Sequence, residues 1–377
     1  MERAYGFDEV AIVPGRQTLD CEDVDISSKI GKIDIEIPFL ASAMDGVVDT
    51  KFAVAMGKLG GMAVLNLEGI FTRYEDPSDV LGEIIAARPE EFTPLMQNIY
   101  QESIKDKLVK KVIEDIKNKG VKACVSSTPL KAEHLGKLSR DAGADIFCMQ
   151  ATVLTRMYSS TRHTPVELES FIRDMKIPVI LGNCVTYEVA MDLMEVGASA
   201  ILIGVGPGAA CTTRGVLGLG VPQVTATKDC AAARDDYFKK SGRYVAVITD
   251  GGMTQGADIC KAFAAGADQI MVGSTFAKAK EAPGKGYHWG MALPHPYLPR
   301  GTRVWVGIMG SLEEILYGPA KTDDGTQNFV GALRLCMSCC GAKNIKEFHE
   351  QAELIIAPGI KTEGKLYQKA QKLGMSK

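Results

Sequence analysis

Residues 177–214 read IPVILGNCVTYEVAMDLMEVGASAILIGVGPGAACTTR, and the order of features in this stretch decides the fold. An apolar run, Ile177–Asn183, is followed by a helical stretch, then by Val196-Gly197-Ala198, then by a second apolar run, Ala200–Gly204. A short apolar, β-branched run bounded by turn residues suits a buried strand, and a Gly-Ala pair suits a helix C-cap turning into the next strand. The same signature recurs along the chain. Strands are expected at Phe39–Met44, Met62–Asn66, Val121–Ser126, Asp145–Gln150, Tyr244–Asp250 and Gln269–Ser274, and glycine pairs recur at Leu59-Gly60-Gly61, Ala142-Gly143-Ala144 and Ala265-Gly266-Ala267. The chain is therefore an α/β protein built of repeated βα units. Eight such units close into a TIM (β/α)8 barrel with helices outside and strands buried on both faces. An open doubly wound sheet could be made from the same units. The barrel is favoured because Ser42, Met44, Asp45, Asn183, the Gly204–Arg214 loop, Asp250–Gly252 and Gly273-Ser274 all follow strands, and barrel strand ends converge on one mouth.

The composition sets bounds on this reading. With 377 residues, 46% hydrophobic and 24% charged, the chain can bury a large core, and α/β barrels of this size form single domains. Residues 1–377 are expected to form one barrel domain, with a short extra segment around 79–120 and a region from 300 to 377 wrapping the mouth. Within the extra segment, Phe92–Asn98 reads as a further strand followed by a charged helix near Lys105–Lys119. The 43 basic and 46 acidic residues nearly cancel, and no Lys/Arg-rich run suggests a nucleic-acid partner. No segment offers the roughly 20 apolar residues of a membrane span, so a cytoplasmic enzyme is expected. The chain has 10 cysteines, but they lack paired ligand spacing, Cys336, Cys339 and Cys340 having no second cluster near them in sequence, and no metal site is expected.

Three segments carry chemistry. In Gly204-Val205-Gly206-Pro207-Gly208-Ala209-Ala210-Cys211-Thr212-Thr213-Arg214, glycines allow close backbone approach, amides can cradle an anion, and hydroxyl and cationic neighbours can favour a thiolate. Alone, this loop reads first as a tight turn before a buried cysteine. Asp250-Gly251-Gly252 can accept ribose hydroxyls, and Gly273-Ser274 can bind phosphate at the last two strands, a common phosphate site in barrels. Either motif alone reads as a capped turn; both at consecutive strand ends point to a nucleotide.

Taken together, these motifs resemble the IMP dehydrogenase/GMP reductase family over nearly the whole chain. Gly206–Arg214 resembles its catalytic cysteine loop, Ser42-Ala43-Met44-Asp45 its first-strand purine contact, Asp250–Gly252 and Gly273-Ser274 its ribose and phosphate sites, Met309-Gly310-Ser311 its base-contacting loop, and Asn328–Gly341 the stretch that closes the fold. The resemblance implies catalysis by Cys211 through a thioimidate at purine C2, with Thr213 assisting. It implies substrate contacts from Ser42, Met44, Gly206, Gly208, Asp250, Gly252, Gly273, Ser274, Met309 and Gly310, and cofactor contacts from Gln150, Thr152, Asn183 and Gly204. It also implies a nicotinamide cofactor, NADPH or NAD, a monovalent cation such as potassium, a GMP or IMP substrate, and a homotetramer.

The chain departs from the family pattern in ways that point to a branch without the regulatory CBS pair. Only residues 79–120 stand at the place of that insertion. Ala209 and Val306 replace phosphate-contacting Ser and Tyr, and Gln150-Ala151-Thr152 replaces an Asp-led segment. The Glu313–Gln327 linker is short and lacks the Arg-Tyr pair that activates water in dehydrogenases, which favours GMP reductase, GMP and NADPH giving IMP and ammonia. The alternatives are an IMP dehydrogenase using Asp323 or Asp324 to activate water, and a non-catalytic purine-nucleotide-binding regulator. None of the histidines falls in these motifs, and all are expected at the surface or in packing roles.

Overall fold

The computed structural model describes residues 2–290, 295 and 300–360. The apolar runs form a closed parallel barrel of β1 (Phe39–Ala41), β2 (Met62–Asn66), β3 (Cys124–Ser127), β4 (Ile146–Gln150), β5 (Val179–Cys184), β6 (Ala200–Ile203), β7 (Ala246–Asp250) and β8 (Gln269–Val272). Each pairs in parallel with the next, and β8 closes on β1 with Ile270 opposite Phe39 and Val272 opposite Ala41. Some expected edges move inward. β1 ends at Ala41 because the Met44 amide turns back to donate to the Ser42 carbonyl at 2.7 Å, which frees Ser42–Asp45 as a loop.

Successive side chains of a strand point to opposite faces, and here both faces are apolar. Leu40, Met62, Val64, Ile146, Cys148, Ile180, Leu202, Ile248 and Met271 fill the barrel interior, while Phe39, Leu65, Phe147, Met149, Leu181, Ile201, Ile203 and Val247 belong to the core under the helices. This double burial is why the strands read as continuous apolar runs rather than alternating ones. The helices present matching faces. Thr50–Lys58 buries Phe52, Ala53 and Met56 and starts where Asp49 accepts the Phe52 amide, and Asp106–Lys117 buries Leu108, Val109, Val112, Ile113 and Ile116.

The end of the barrel at the strand N-termini is plugged. An antiparallel hairpin, Ser28–Ile30 with Ile33–Ile35, inserts Ile30 and Ile35 into the interior cluster. The Gln269 side-chain amide at the start of β8 donates to Ser28 Oγ at 2.6 Å and to the Lys29 carbonyl at 3.1 Å. Access to the interior is left at the strand C-termini.

Two expectations for the additions need correction. Phe92–Asn98 is not a strand but part of a helix, Pro89–Ile99, with Pro89 at its start; the i, i+4, i+7 spacing of buried Phe92, Met96 and Ile99 is the helical signal, and it overrides Pro94. The stretch from 300 onward covers the mouth only at its beginning. A short antiparallel pair, Tyr287–Trp289 with Arg303–Trp305, reaches over the mouth. Phe329–Cys339 instead packs outside, its Phe329 ring 6.4 Å from the Phe39 ring, and Glu353–Ile356 pairs antiparallel with Val10–Val13. The rest of the expected mouth-covering region, 361–377, lies outside the described residues. Among the described residues no helix is long and apolar enough to cross a membrane.

Candidate active site

A cavity of about 440 Å³ opens at the strand C-termini, and the Cys211 loop, Asp250–Thr254, Ser42–Asp45 and Val272–Ser274 all line it. The barrel order explains the grouping, since β6, β7, β8 and β1 are consecutive around the ring. Asn66, Ser126, Gln150 and Thr152, from the ends of β2, β3 and β4, form the facing arc together with Glu68 and Thr128.

The cysteine loop is built by positive-φ glycines and one arginine. Gly204 has φ 145°, and a Cβ there would lie 2.5 Å from the Asp250 carbonyl oxygen. Gly206 has φ 75° and packs against the Arg214 side chain. Arg214 ties the loop ends together, Nε donating to the Val205 carbonyl at 2.9 Å and an Nη to the Val221 carbonyl at 2.7 Å. It is a strut, and its charge also interacts with Cys211, as the sequence suggested. Cys211 is solvent-exposed at the cavity, and its thiol donates to the Thr213 hydroxyl at 3.3 Å.

Asp250 is the centre of a cross-barrel network. Asn183 Nδ2 donates to its Oδ2 at 2.9 Å, Gln150 Nε2 reaches the same oxygen at 3.3 Å, and Gln150 also donates to Asn183 Oδ1 at 3.2 Å. Burial pushes the carboxyl up to about 6, with the Asn183 hydrogen bond opposing. Gln150 and Asn183, expected at the cofactor, therefore orient Asp250, while Thr152 stays on the cavity wall outside that network. Gly251 and Gly252 adopt φ 79° and 81° and pack against Pro207, so the Asp250 turn and the cysteine loop interlock. Gly273 packs against the Met44 sulfur and lies beside Ser42.

Asp45 is expected at the mouth from the sequence, but the groups that surround it are not legible there as a site. Asp45 is buried, its Oδ1 accepting Asn66 Nδ2 at 3.2 Å and its Oδ2 accepting the Ile70 amide at 2.7 Å and the Tyr100 hydroxyl at 2.6 Å. Burial still raises its pKa against those donors. Trp289 Nε1 donates to the Tyr100 hydroxyl oxygen at 2.7 Å. Tyr100 comes from the extra segment between β2 and β3, and Trp289, His288, Gly290, Arg300, Gly301 and Thr302 come from the segment after β8; all but Trp289 line the cavity. Burial lowers the Arg300 pKa while the charge of Cys211 raises it, which places the guanidinium within electrostatic reach of the thiol. No local pattern marks Tyr100 or His288, because their neighbours arrive from distant parts of the chain.

Some expected contacts are not brought in. Met309 and Gly310 do not line the cavity; the Met309 amide donates to the Lys278 carbonyl, and the Gly310 carbonyl accepts from Lys280, both at 2.8 Å. Asp323 and Asp324 are not on its wall either, and Asp324 Oδ1 accepts the hydroxyls of Thr322 and Thr326 at 2.8 and 2.5 Å. Val306 is held at the hairpin by its amide bond to the Gly286 carbonyl at 2.8 Å. Among the described residues no group of three or more His, Cys, Asp or Glu side chains is placed to hold a metal.

Comparison with known proteins converges on one group. Residues 4–293 match the family described as IMP dehydrogenase / GMP reductase domain. An uncharacterized oxidoreductase of Mycolicibacterium smegmatis is 34% identical over 357 residues, covering 92% of this chain and 95% of that protein. An inosine-5'-monophosphate dehydrogenase of Borreliella burgdorferi is 32% identical over 300 residues, covering 75% of this chain and 72% of that protein. The crystal structure of an IMP dehydrogenase/GMP reductase-like protein from Corynebacterium glutamicum superposes with a TM-score of 0.89 at 32% identity over 95% of each chain.

Proposed function

The chain belongs to the IMP dehydrogenase/GMP reductase family, and on that premise we propose that it oxidises IMP at C2 through a covalent adduct on Cys211, with NAD as the hydride acceptor. One observation carries the reading: the Cys211 thiol, the Asp250 and Gly273-Ser274 turns, and the polar side chains of His288 and Arg300 share a single cavity. Asp250 is set to accept ribose hydroxyls, and the turn glycines with Ser274 to receive the phosphate. On this reading the purine lies against Met44 and beside Cys211.

The Cys211 sulfur adds to C2, with Thr213 accepting the thiol hydrogen bond. NAD held on the facing arc would supply the acceptor for the hydride that leaves C2. Asn66, Glu68, Ser126, Thr128 and Thr152 on the facing arc offer the hydroxyl, amide and carboxylate groups that suit its ribose. Water then adds to C2 and expels the Cys211 sulfur, giving XMP.

The short Glu313–Gln327 linker favours the opposite reading, GMP reduction by NADPH, because hydrolysis needs a positioned base worth about 10²–10⁴ in rate. His288, Arg300 and Thr302 supply polar groups to the same cavity, and the base is sought among them rather than in the linker. Initial rates with IMP plus NAD and with GMP plus NADPH test the direction. Steady XMP formation exceeding GMP-dependent NADPH oxidation is the expected result, the reverse ordering supports the reductase, and nucleotide binding with neither turnover leaves a regulator.

A further inference from the structure

His288 is 1% exposed, yet it lines the Cys211 cavity, and among the described residues neither ring nitrogen has a hydrogen-bond partner. A buried polar group left unpaired is destabilising, so groups of this kind call for a functional account. The strand that carries it shows where it faces. Tyr287 packs against Trp305 with ring centroids 4.5 Å apart and planes tilted by 52°, and Trp289 is anchored through Tyr100 to Asp45. Alternation along Tyr287–Trp289 puts His288 on the other face, the face of Gly290. A Cβ on Gly290 would sit 3.9 Å from the carbonyl oxygen of Ala210, the residue before Cys211. Beneath, Gly46 lies so close that a Cβ there would be 2.9 Å from the His288 Cα, which fixes the backbone.

Resting on the dehydrogenase reading, we propose that His288 is the catalytic base that takes a proton from the water releasing product from Cys211. The other acidic groups on the wall are already engaged, Asp250 through its Oδ2 with Asn183 and Gln150 and, in the proposed binding mode, with the ribose. Both Asp45 oxygens are occupied by Asn66, Ile70 and Tyr100. Glu68 Oε1 accepts the Thr128 amide at 2.6 Å. Arg300 is a guanidinium with donors and no acceptor; it stabilises the departing sulfur. Burial pushes the His288 pKa down to about 4, so at neutral pH the ring is uncharged and presents an acceptor nitrogen, and it takes up the proton only as negative charge develops at N3 and on the departing sulfur. In the step, a water O–H bond breaks and its proton moves to that nitrogen. The oxygen bonds to C2 as the C2=N3 electron pair shifts to N3, and collapse of the adduct expels the Cys211 thiolate. No oxidant is needed, because hydride has already left.

His288→Gln tests this against the wild type in rapid mixing with IMP and NAD. The variant is expected to give one burst of NADH per Cys211, which itself certifies a folded site, followed by a steady rate lower by about 10²–10⁴. Intact mass should show nucleotide accumulating on Cys211, and added imidazole should restore turnover to His288→Ala. A steady rate within about threefold of wild type, or a burst lost in proportion to turnover, overturns the base. Absence of NADH formation by the wild type would overturn the dehydrogenase reading and the base with it, an outcome distinct from an active wild type with an active variant.

Discussion

At the scale of single residues, the site divides into groups that bind and groups that react. In the proposed mechanism Cys211 bonds to the substrate carbon only along the reaction path, so Cys211→Ala should abolish turnover while nucleotide affinity stays within roughly tenfold of wild type by calorimetry. Asp250 has the opposite character. Its carboxyl titrates near 6 because burial disfavours its charge, and ribose hydroxyls donate best to the ionised form. Above that pH the group is charged and accepts them; as pH falls through about 6 it takes up a proton and loses acceptor strength. Nucleotide affinity should therefore weaken below pH 6. The substrate phosphate titrates in the same region, so the comparison is with Asp250→Asn, which keeps the phosphate effect and should lose the protein's share. Identical pH profiles would assign the whole dependence to phosphate. Asp250→Ala should weaken binding by about 1.5–3 kcal/mol, the range for hydrogen bonds to a charged acceptor.

At the scale of elements, the segment between β2 and β3 is a working part of the mouth. Helix Pro89–Ile99 ends by delivering Tyr100, 4% exposed, between Asp45 and Trp289. Tyr100→Phe would leave a buried carboxylate oxygen with one donor fewer and a buried indole N–H with none. A loss of about 1–3 kcal/mol in unfolding free energy is expected, measured by urea denaturation, together with a larger fall in turnover than in nucleotide affinity, because the strand bearing His288 loses its anchor. Unchanged stability would mean that another group takes up the indole N–H.

At the scale of the molecule, the barrel separates stability from chemistry, with the hairpin plug at one end and the site at the other. Ile30→Ala removes a fully buried side chain from the plugged end. It should cost about 2–5 kcal/mol and leave KM for the nucleotide unchanged in the surviving folded protein. A shifted KM would show that the plug sets the geometry of the mouth through the barrel interior.

The amino-acid sequence by itself determined the barrel, because every strand is buried on both faces and every unit repeats the same apolar run, helical stretch and glycine turn, features that are local and periodic. It also marked Cys211, Asp250 and Gly273-Ser274, because a loop that must bend sharply at a strand end requires glycines at fixed spacing. Only the tertiary structure decided that Gln150 and Asn183 serve Asp250, that Arg214 is a strut, and that Met309 and Gly310 pair with Lys278–Lys280. The same holds for Tyr100, His288 and Arg300. Their roles depend on partners far away in the chain, and a side chain whose burial and hydrogen bonds are supplied from such distances leaves no pattern in its own neighbourhood.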